Sequence, residues 1–383
     1  MTESTSKPAT PAALPNYWEY LRVEELLQLQ GGLDNDEDAI SDHEVLFIVV
    51  HQVYELWFKL LLRELTSGRD LLDQNPVPDQ DMSLLVSSLQ RARVIIDQAV
   101  AHFEVMETLT TRDFLDFRDK LLPSSGFQSA QLRELEVLFG LKDEDRISLG
   151  ADGGYLKALR SSDGSRSPAL ERVERRKAAG KSLAEVIDAW LLRTPIRGSS
   201  EGDPGDTEVV RGFVDDFLAA SRAEHGDLQE LATRQARTPE GQVALVARYE
   251  ASIESARAYL HADDAADQGP DEQARRSRVR AALVFIESYR ELPLLAWPRA
   301  VLAGLVALEQ GMVIFRQRHA RMVEREIGRR VGTGGSAGVD YLDQTAITYR
   351  VFKDLWAART ILIRKDAVPP LADGSYYGFR CDE

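Results

Sequence analysis

Six histidines, at positions 43, 51, 102, 225, 261 and 319, and one cysteine, Cys381, are the imidazole and thiolate donors available in 383 residues. His51 and His319 stand apart because each interrupts a strongly apolar helical pattern. Phe47 lies one turn before His51, while Phe315 and Val323 flank His319 at one turn on either side, with Arg316, Arg318 and Arg321 assigned to other faces. Taken alone, each reads as a core histidine. Taken together, two such residues on separate long helices can face each other across a slot, one binding a haem iron and the other lining the opposite face. His225 and His261 sit beside charged, loop-like sequence and read as surface residues. His43 adjoins a helix cap and His102 falls late in a helix, so both read as structural. Cys381 lies almost at the C-terminus and no C-x-x-C-H occurs, which argues against thiolate-ligated and covalently attached haem. A single cysteine also excludes an intramolecular disulfide and a cysteine-built zinc cage.

Two further segments carry chemistry. In Phe114 to Ser129, Phe114 and Arg118 share a helical face just before a tight turn that contains Ser124, Ser125 and Gly126. An arginine there is able to clamp a carboxylate through two parallel hydrogen bonds, or to pair with an acidic helix neighbour. Gly332 to Gly338 has four glycines in seven residues with the hydroxyls of Thr333 and Ser336, which permits close backbone approach to a ligand and equally makes a plain helix cap and linker. It lacks G-x-x-x-x-G-K-[ST] and follows a helix rather than a strand, so nucleotide binding is disfavoured.

The elements that must position these residues read as helices. From Ser41 to Thr66 there is neither Gly nor Pro, and Ser41 with Glu44 has the form of a capping box. Further helices are predicted at 81–110, 127–140, 168–192, 207–235, 239–261, 272–290, 298–331 and 343–363, and alternating strand patterns are scarce. The fold class is therefore all-α. Residues 1–15 read as a disordered tail, 16–365 as one helical domain with mobile surface loops at 150–168, 195–206 and 262–271, and 366–383 as a C-terminal tail. No long uninterrupted apolar run or signal peptide is visible, so the expected location is cytoplasmic. The net charge of −15 disfavours nucleic acid and membrane surfaces as partners, and the basic clusters Arg172–Lys181 and Arg318–Arg330, interleaved with Glu, read as solvated helix faces.

Five pieces of the chain, in order, resemble the tryptophan 2,3-dioxygenase family. They are Tyr17-Trp-Glu-Tyr20-Leu, His43 to Lys59, Phe114 to Ser129, Phe315-Arg-Gln-Arg-His319 and Gly332 to Gly338, with weaker similarity from Tyr349 onward. The resemblance implies a helical domain of the tryptophan/indoleamine dioxygenase type that binds haem b noncovalently. It places His319 as the proximal iron ligand, Ser125 beside the haem and Phe315 in the proximal packing, where some members of the family carry Trp. It implies that His51 accepts the indole N–H, that Phe47 and Phe114 pack the indole ring, that Arg118 clamps the substrate carboxylate and that Thr333 meets the substrate as its loop closes. Tyr17 and Tyr20 correspond to aromatics that enter a neighbouring subunit's active site, which implies a homotetramer with exchanged N-terminal segments. The implied reaction inserts both atoms of O2 across the C2–C3 bond of L-tryptophan to give N-formylkynurenine. The motifs alone also admit a relative that inserts one oxygen into tryptophan or a β-methyltryptophan to give an oxindole, and, in another class, a helical haem protein that carries or senses oxygen.

Overall fold

The computed structural model describes residues 15–147, 154–161, 163–236, 238–330 and 338–378. Fifteen α-helices are formed there: α1 (Tyr17–Leu21), α2 (Val23–Leu26), α3 (Asp42–Leu72), α4 (Asp79–Met106), α5 (Thr111–Phe117), α6 (Ala130–Phe139), α7 (Tyr155–Ala158), α8 (Pro168–Ala178), α9 (Leu183–Arg193), α10 (Asp206–Gln235), α11 (Pro239–Leu260), α12 (Pro270–Ser288), α13 (Ala296–Ile327), α14 (Val339–Thr348) and α15 (Lys353–Ile361). Among the described residues there is no β-strand, only an isolated bridge between Ile196 and Ser199.

Three long helices carry the frame: α13 packs along α4, and α4 along α3. Each presents an apolar stripe at the 3.6-residue period, and their buried side chains run continuously from Val50 on α3 to Tyr377. Close approach of α13 and α4 depends on Gly311, where an added Cβ would stand 2.6 Å from Arg93 Nη1 and 2.9 Å from Ile96 Cγ2. Two helical segments, Asp42–Leu72 and Pro293–Ile327, have the length and apolar composition to cross a membrane, yet both contribute to this core.

Several boundaries differ from those read in the sequence. Ser41 caps α3 as predicted, accepting from Glu44 N–H at 3.2 Å, but the Glu44 side chain turns away to Lys120 Nζ at 2.7 Å. The helix predicted over 168–192 is two helices, because Gly180 takes φ +100° and breaks the run. The one predicted over 343–363 is also two. Glu309 of α13 accepts the backbone N–H of Val351 (2.5 Å) and Phe352 (2.9 Å), so these donors leave the helical ladder. The predicted tail beyond 365 is not free up to residue 378: Tyr377 is buried, its hydroxyl donating to Pro195 O and accepting from Gly198 N–H. The loop at 195–206 makes this contact and holds buried Ile196, and the loop at 262–271 holds buried Ala262 and Ala265.

Candidate active site

One apolar-walled cavity of about 200 Å³ lies between α3, α5, α6, α13 and α14. Its lining gathers the predicted residues Phe47, His51, Phe114, Arg118, Ser125, Phe315 and His319 from three separate parts of the chain. Each is placed by a local device. The Thr110–Asp113 capping box opens α5, on which Phe114 sits, and the Lys120–Glu44 ion pair ties the turn that carries Arg118 to the start of α3. Ser125 caps the short 3-10 turn Gly126–Gln128, accepting from Phe127 N–H at 3.3 Å. Gln131 of α6 then donates to Glu55 O (2.6 Å) and Glu55 Oε2 (2.7 Å), fastening this segment to α3 beside His51.

The two imidazoles have distinct surroundings. His51 Nδ1 lies 2.7 Å from Phe47 O, a carbonyl that can only accept, so the proton is on Nδ1 and Nε2 keeps a lone pair. Its ring is within 4.1 Å of Phe47, which in turn is 5.9 Å from Phe114. His51 is open to the cavity but enclosed by protein beyond it, and this desolvation lowers its pKa against the opposing pull of Phe47 O and Glu55. His319 stacks on Phe103 at 5.7 Å and packs against Phe315 at 6.3 Å, with no hydrogen-bond partner among the described residues. Burial, reinforced by the charges of His51 and Arg133, brings its pKa down to about 4. Both rings are therefore neutral at physiological pH, the form that can offer a lone pair to a metal or a donor.

A second, polar end of the cavity was not anticipated. Arg133, Glu136, Arg316, Tyr341 and Tyr349 line it. Glu136 is 3% exposed and pairs with Arg146 at 2.6 Å, Arg133 at 2.9 Å and Arg316 at 3.5 Å, so three guanidiniums share one carboxylate. Arg133 Nε and Arg146 Nε and Nη2 are buried without a hydrogen-bond partner. Arg316, which the sequence pattern places on another face than His319, lines the same cavity, and its inward charge has no local signal because its partner Glu136 sits 180 positions away. Likewise Glu326, in the stretch read as a solvated face, is buried in the cavity wall.

Two neutral imidazoles from different long helices, meeting in one apolar cavity with an arginine at its wall, match the order and spacing of a known family. A profile of the family described as tryptophan 2,3-dioxygenase matches residues 4–362. The chain belongs to the tryptophan 2,3-dioxygenase family. It is 58% identical over 370 residues to the tryptophan 2,3-dioxygenase of Sorangium cellulosum, covering 96% of this chain and 88% of that protein. It is 53% identical over 364 residues to tryptophan 2,3-dioxygenase 2 of Ralstonia nicotianae, covering 95% and 97%. A tryptophan 2,3-dioxygenase-like protein of Xanthomonas campestris pv. campestris is 50% identical over 271 residues, covering 71% of this chain and 98% of that protein.

Within this tryptophan dioxygenase fold, the residues expected to act across a subunit boundary lie away from this chain's own cavity. Tyr17 and Tyr20 lie on α1, 72% and 77% exposed, and neither lines the cavity. Thr333 falls outside the described residues. Phe315, where some members of the family carry Trp, is buried among Tyr54, Phe58 and Phe103 at ring distances of 5.1 to 6.0 Å, so it packs the wall beside His319. Phe103 itself, stacked flat on His319, was missed because a single Phe on a helix face is indistinguishable from ordinary core.

Proposed function

We propose that this cavity is the active site of a haem-dependent tryptophan 2,3-dioxygenase that inserts both atoms of O2 across the C2–C3 bond of L-tryptophan and yields N-formylkynurenine. The observation that carries the reading is the pair of neutral imidazoles, His51 and His319, facing one cavity whose polar end is lined by Arg133 and Arg316 beside the single carboxylate of Glu136.

The residues fit haem b. A haem iron takes one ligand from the protein beyond its macrocycle, and His319, buried against Phe103 and Phe315, is the imidazole proposed for it, while His51 Nε2 is kept for the substrate. The positive charge of Arg133 and Arg316 at the cavity wall, with Arg133 Nε buried and unpartnered among the described residues, suits the two carboxylates that such a macrocycle brings. His319 would hold the iron, Arg133 and Arg316 would hold the carboxylates, and Ser125 and Phe315 would border the ring. When bound, haem supplies the redox chemistry that activates dioxygen.

The chain's own residues supply position. His51 Nε2, its lone pair fixed by the Phe47 contact, accepts the indole N–H, and Phe47 and Phe114 hold the ring between them. Arg118 takes the substrate carboxylate, with Thr333 closing on the amino acid from the glycine-rich loop. Apolar walls exclude bulk water from the reacting atoms. The exposed α1, with Tyr17, Trp18 and Tyr20 all more than half exposed, fits an arm that enters a neighbouring subunit's cavity in a homotetramer. We place the enzyme in the cytoplasm, with L-tryptophan or a close indole amino acid and O2 as its partners.

The names of the relatives favour two-oxygen chemistry over the one-oxygen alternative, and product mass decides between them. Haem-loaded protein incubated with L-tryptophan under labelled dioxygen is expected to give a product carrying two labelled oxygen atoms. A product with one labelled oxygen overturns the dioxygenase reading, and an unreacted substrate overturns the tryptophan site.

A further inference from the structure

One carboxylate beside the cavity has no place in the chemistry above. Phe47 and His51, one turn apart on α3, line the cavity, and Glu55 is the next residue on that stripe. Glu55 is not part of the lining. Its carboxylate turns instead to the start of α6, where Oε1 accepts from Ser129 Oγ at 2.6 Å and Oε2 from Gln131 Nε2 at 2.7 Å, while its backbone oxygen takes Gln131 Nε2 at 2.6 Å.

The segment held in this way carries cavity wall. Ser125, Gly126 and Phe127 line the cavity, and the turn they form is closed by its own bonds. Ser125 N–H donates to Gln128 Oε1 at 3.1 Å, Gln128 N–H to Ser125 O at 2.9 Å and Ser129 N–H to Gly126 O at 3.2 Å. A turn closed on itself moves as one piece, so its place is set by its outer attachments. On one side Phe127 meets the Tyr341 ring of α14 edge-on at 4.7 Å. On the other, Ser129 and Gln131 are drawn to Glu55, one turn from His51.

We propose that Glu55 is a positioning residue for the reaction: it fixes the separation between His51 and the Ser125–Phe127 turn, and with it the width of the slot that receives the indole. The proposal rests on the reading of this cavity as the tryptophan site. The same carboxylate brings a charge close to His51. Burial lowers the His51 pKa and His102 of α4 acts in the same direction, while Phe47 O and Glu55 oppose them. The other charged or titratable groups around the slot are Arg118 after α5, Arg133 and Glu136 paired on α6, and His319 on α13. A neutral His51 accepts the indole N–H and an imidazolium cannot, so activity falls as pH drops through the His51 pKa. Removing the Glu55 charge lowers that pKa and extends activity to lower pH.

Two variants separate the holding from the charge. Glu55→Gln keeps both partners within reach, because an amide oxygen accepts from Gln131 and an amide N–H donates to the Ser129 hydroxyl, but it removes the charge. Ser129→Ala combined with Gln131→Met removes the bonds and keeps the charge; Ser129 also caps α6, a loss that the thermal unfolding midpoint registers. Both are measured as haem-loaded enzyme by steady-state kinetics with L-tryptophan over about pH 5 to 8, alongside haem absorbance per protein and the unfolding midpoint. Glu55→Gln is expected to move the acid limb of kcat/KM to lower pH. The double variant is expected to lose about tenfold in kcat/KM, the equivalent of one charge-assisted hydrogen bond, with the acid limb in place. A carboxylate that only braced the fold would change the midpoint and leave both kinetic readouts unmoved. A double variant within about twofold of the parent at neutral pH, or a Glu55→Gln acid limb that coincides with the parent's, overturns the proposal. If Glu55→Gln does not fold, the double variant decides. A parent enzyme that does not turn over L-tryptophan overturns the tryptophan site itself.

Discussion

Replacing Glu136 by Gln tests whether the polar end of the cavity is built for carboxylates that come from elsewhere. The parent carboxylate is 3% exposed and holds Arg146 at 2.6 Å, Arg133 at 2.9 Å and Arg316 at 3.5 Å. Burial acts to raise its pKa, but the three guanidiniums overcome this and keep it below the ordinary glutamate value of 4.5. A group held low in this way stabilises the fold fully above its unfolded pKa and loses that contribution as pH falls through its folded one, so at pH 7 the substitution removes the whole effect. Gln preserves the shape and some hydrogen bonds but removes the carboxylate from Arg133 and Arg316 and leaves Arg146 with Asp143 at 3.4 Å. Breaking a buried ion pair from one side costs about 3 to 5 kcal/mol, and with three partners the upper part of that range is expected for the haem-free protein. On the proposed reading haem would bring two carboxylates to the same cluster, so the loaded variant is expected to recover most of the loss. Denaturant midpoints of parent and variant, each with and without haem, give the four free energies, provided the slopes agree. A haem-free Glu136→Gln within about 1 kcal/mol of the parent refutes the electrostatic account of the cluster, and an equal loss in both forms refutes the assignment of this end to the haem carboxylates.

Three further outcomes are expected. Arg118→Leu should weaken L-tryptophan by about 1.5 to 3 kcal/mol, the cost of a charge-assisted hydrogen bond, while haem absorbance per protein stays at the parent value; unchanged affinity by equilibrium titration removes Arg118 from the carboxylate site. His51→Ala should lower turnover without abolishing it, since Nε2 orients the indole rather than supplying an indispensable proton; steady-state kinetics showing complete loss with normal substrate binding would contradict that role. Gly311→Ala should destabilise the protein by about 1 to 3 kcal/mol, because the new Cβ has to displace Arg93 and Ile96; a thermal unfolding midpoint equal to the parent's would show that α4 and α13 separate at little cost.

What the sequence made legible was what repeats locally. Apolar periodicity gave the long helices, Ser41 gave the start of α3, and the motifs around His51, Phe114 and His319 gave the predicted residues that the cavity brings together. What it hid was decided by contacts far apart in the chain. The break between α14 and α15 has no local signal, because the acceptor that takes the N–H groups of Val351 and Phe352 is Glu309, more than forty positions earlier. Tyr377 reads as part of a polar tail until its hydroxyl is seen between Pro195 and Gly198. The Arg318–Arg330 stretch alternates charge in the manner of a solvated face, and only the packing of α13 against α4 and α5 shows that one of those charges, Glu326, is turned inward. In each case a polar side chain is read as exposed by default, and its burial depends on a partner that sequence spacing does not reveal.

The placement of charge along α13 then has a functional logic. Arg316, His319 and Glu326 occupy one face over three turns, so the helix offers the cavity a cation, a neutral imidazole and a carboxyl in succession. Neither charged residue is there for stability alone: a buried ion is retained at a cost, and an apolar residue of similar volume would often serve the fold as well. On the proposed reading the cation end would meet ligands that bring carboxylates, and the neutral centre a metal that needs a free lone pair. A helix patterned in this way would discriminate among ligands before any chemistry occurs, because a molecule lacking the complementary charge leaves a buried group unpaired. On that reading selectivity would be a property of the α13 stripe as much as of the rings of Phe47 and Phe114, which by themselves would accept any flat apolar group.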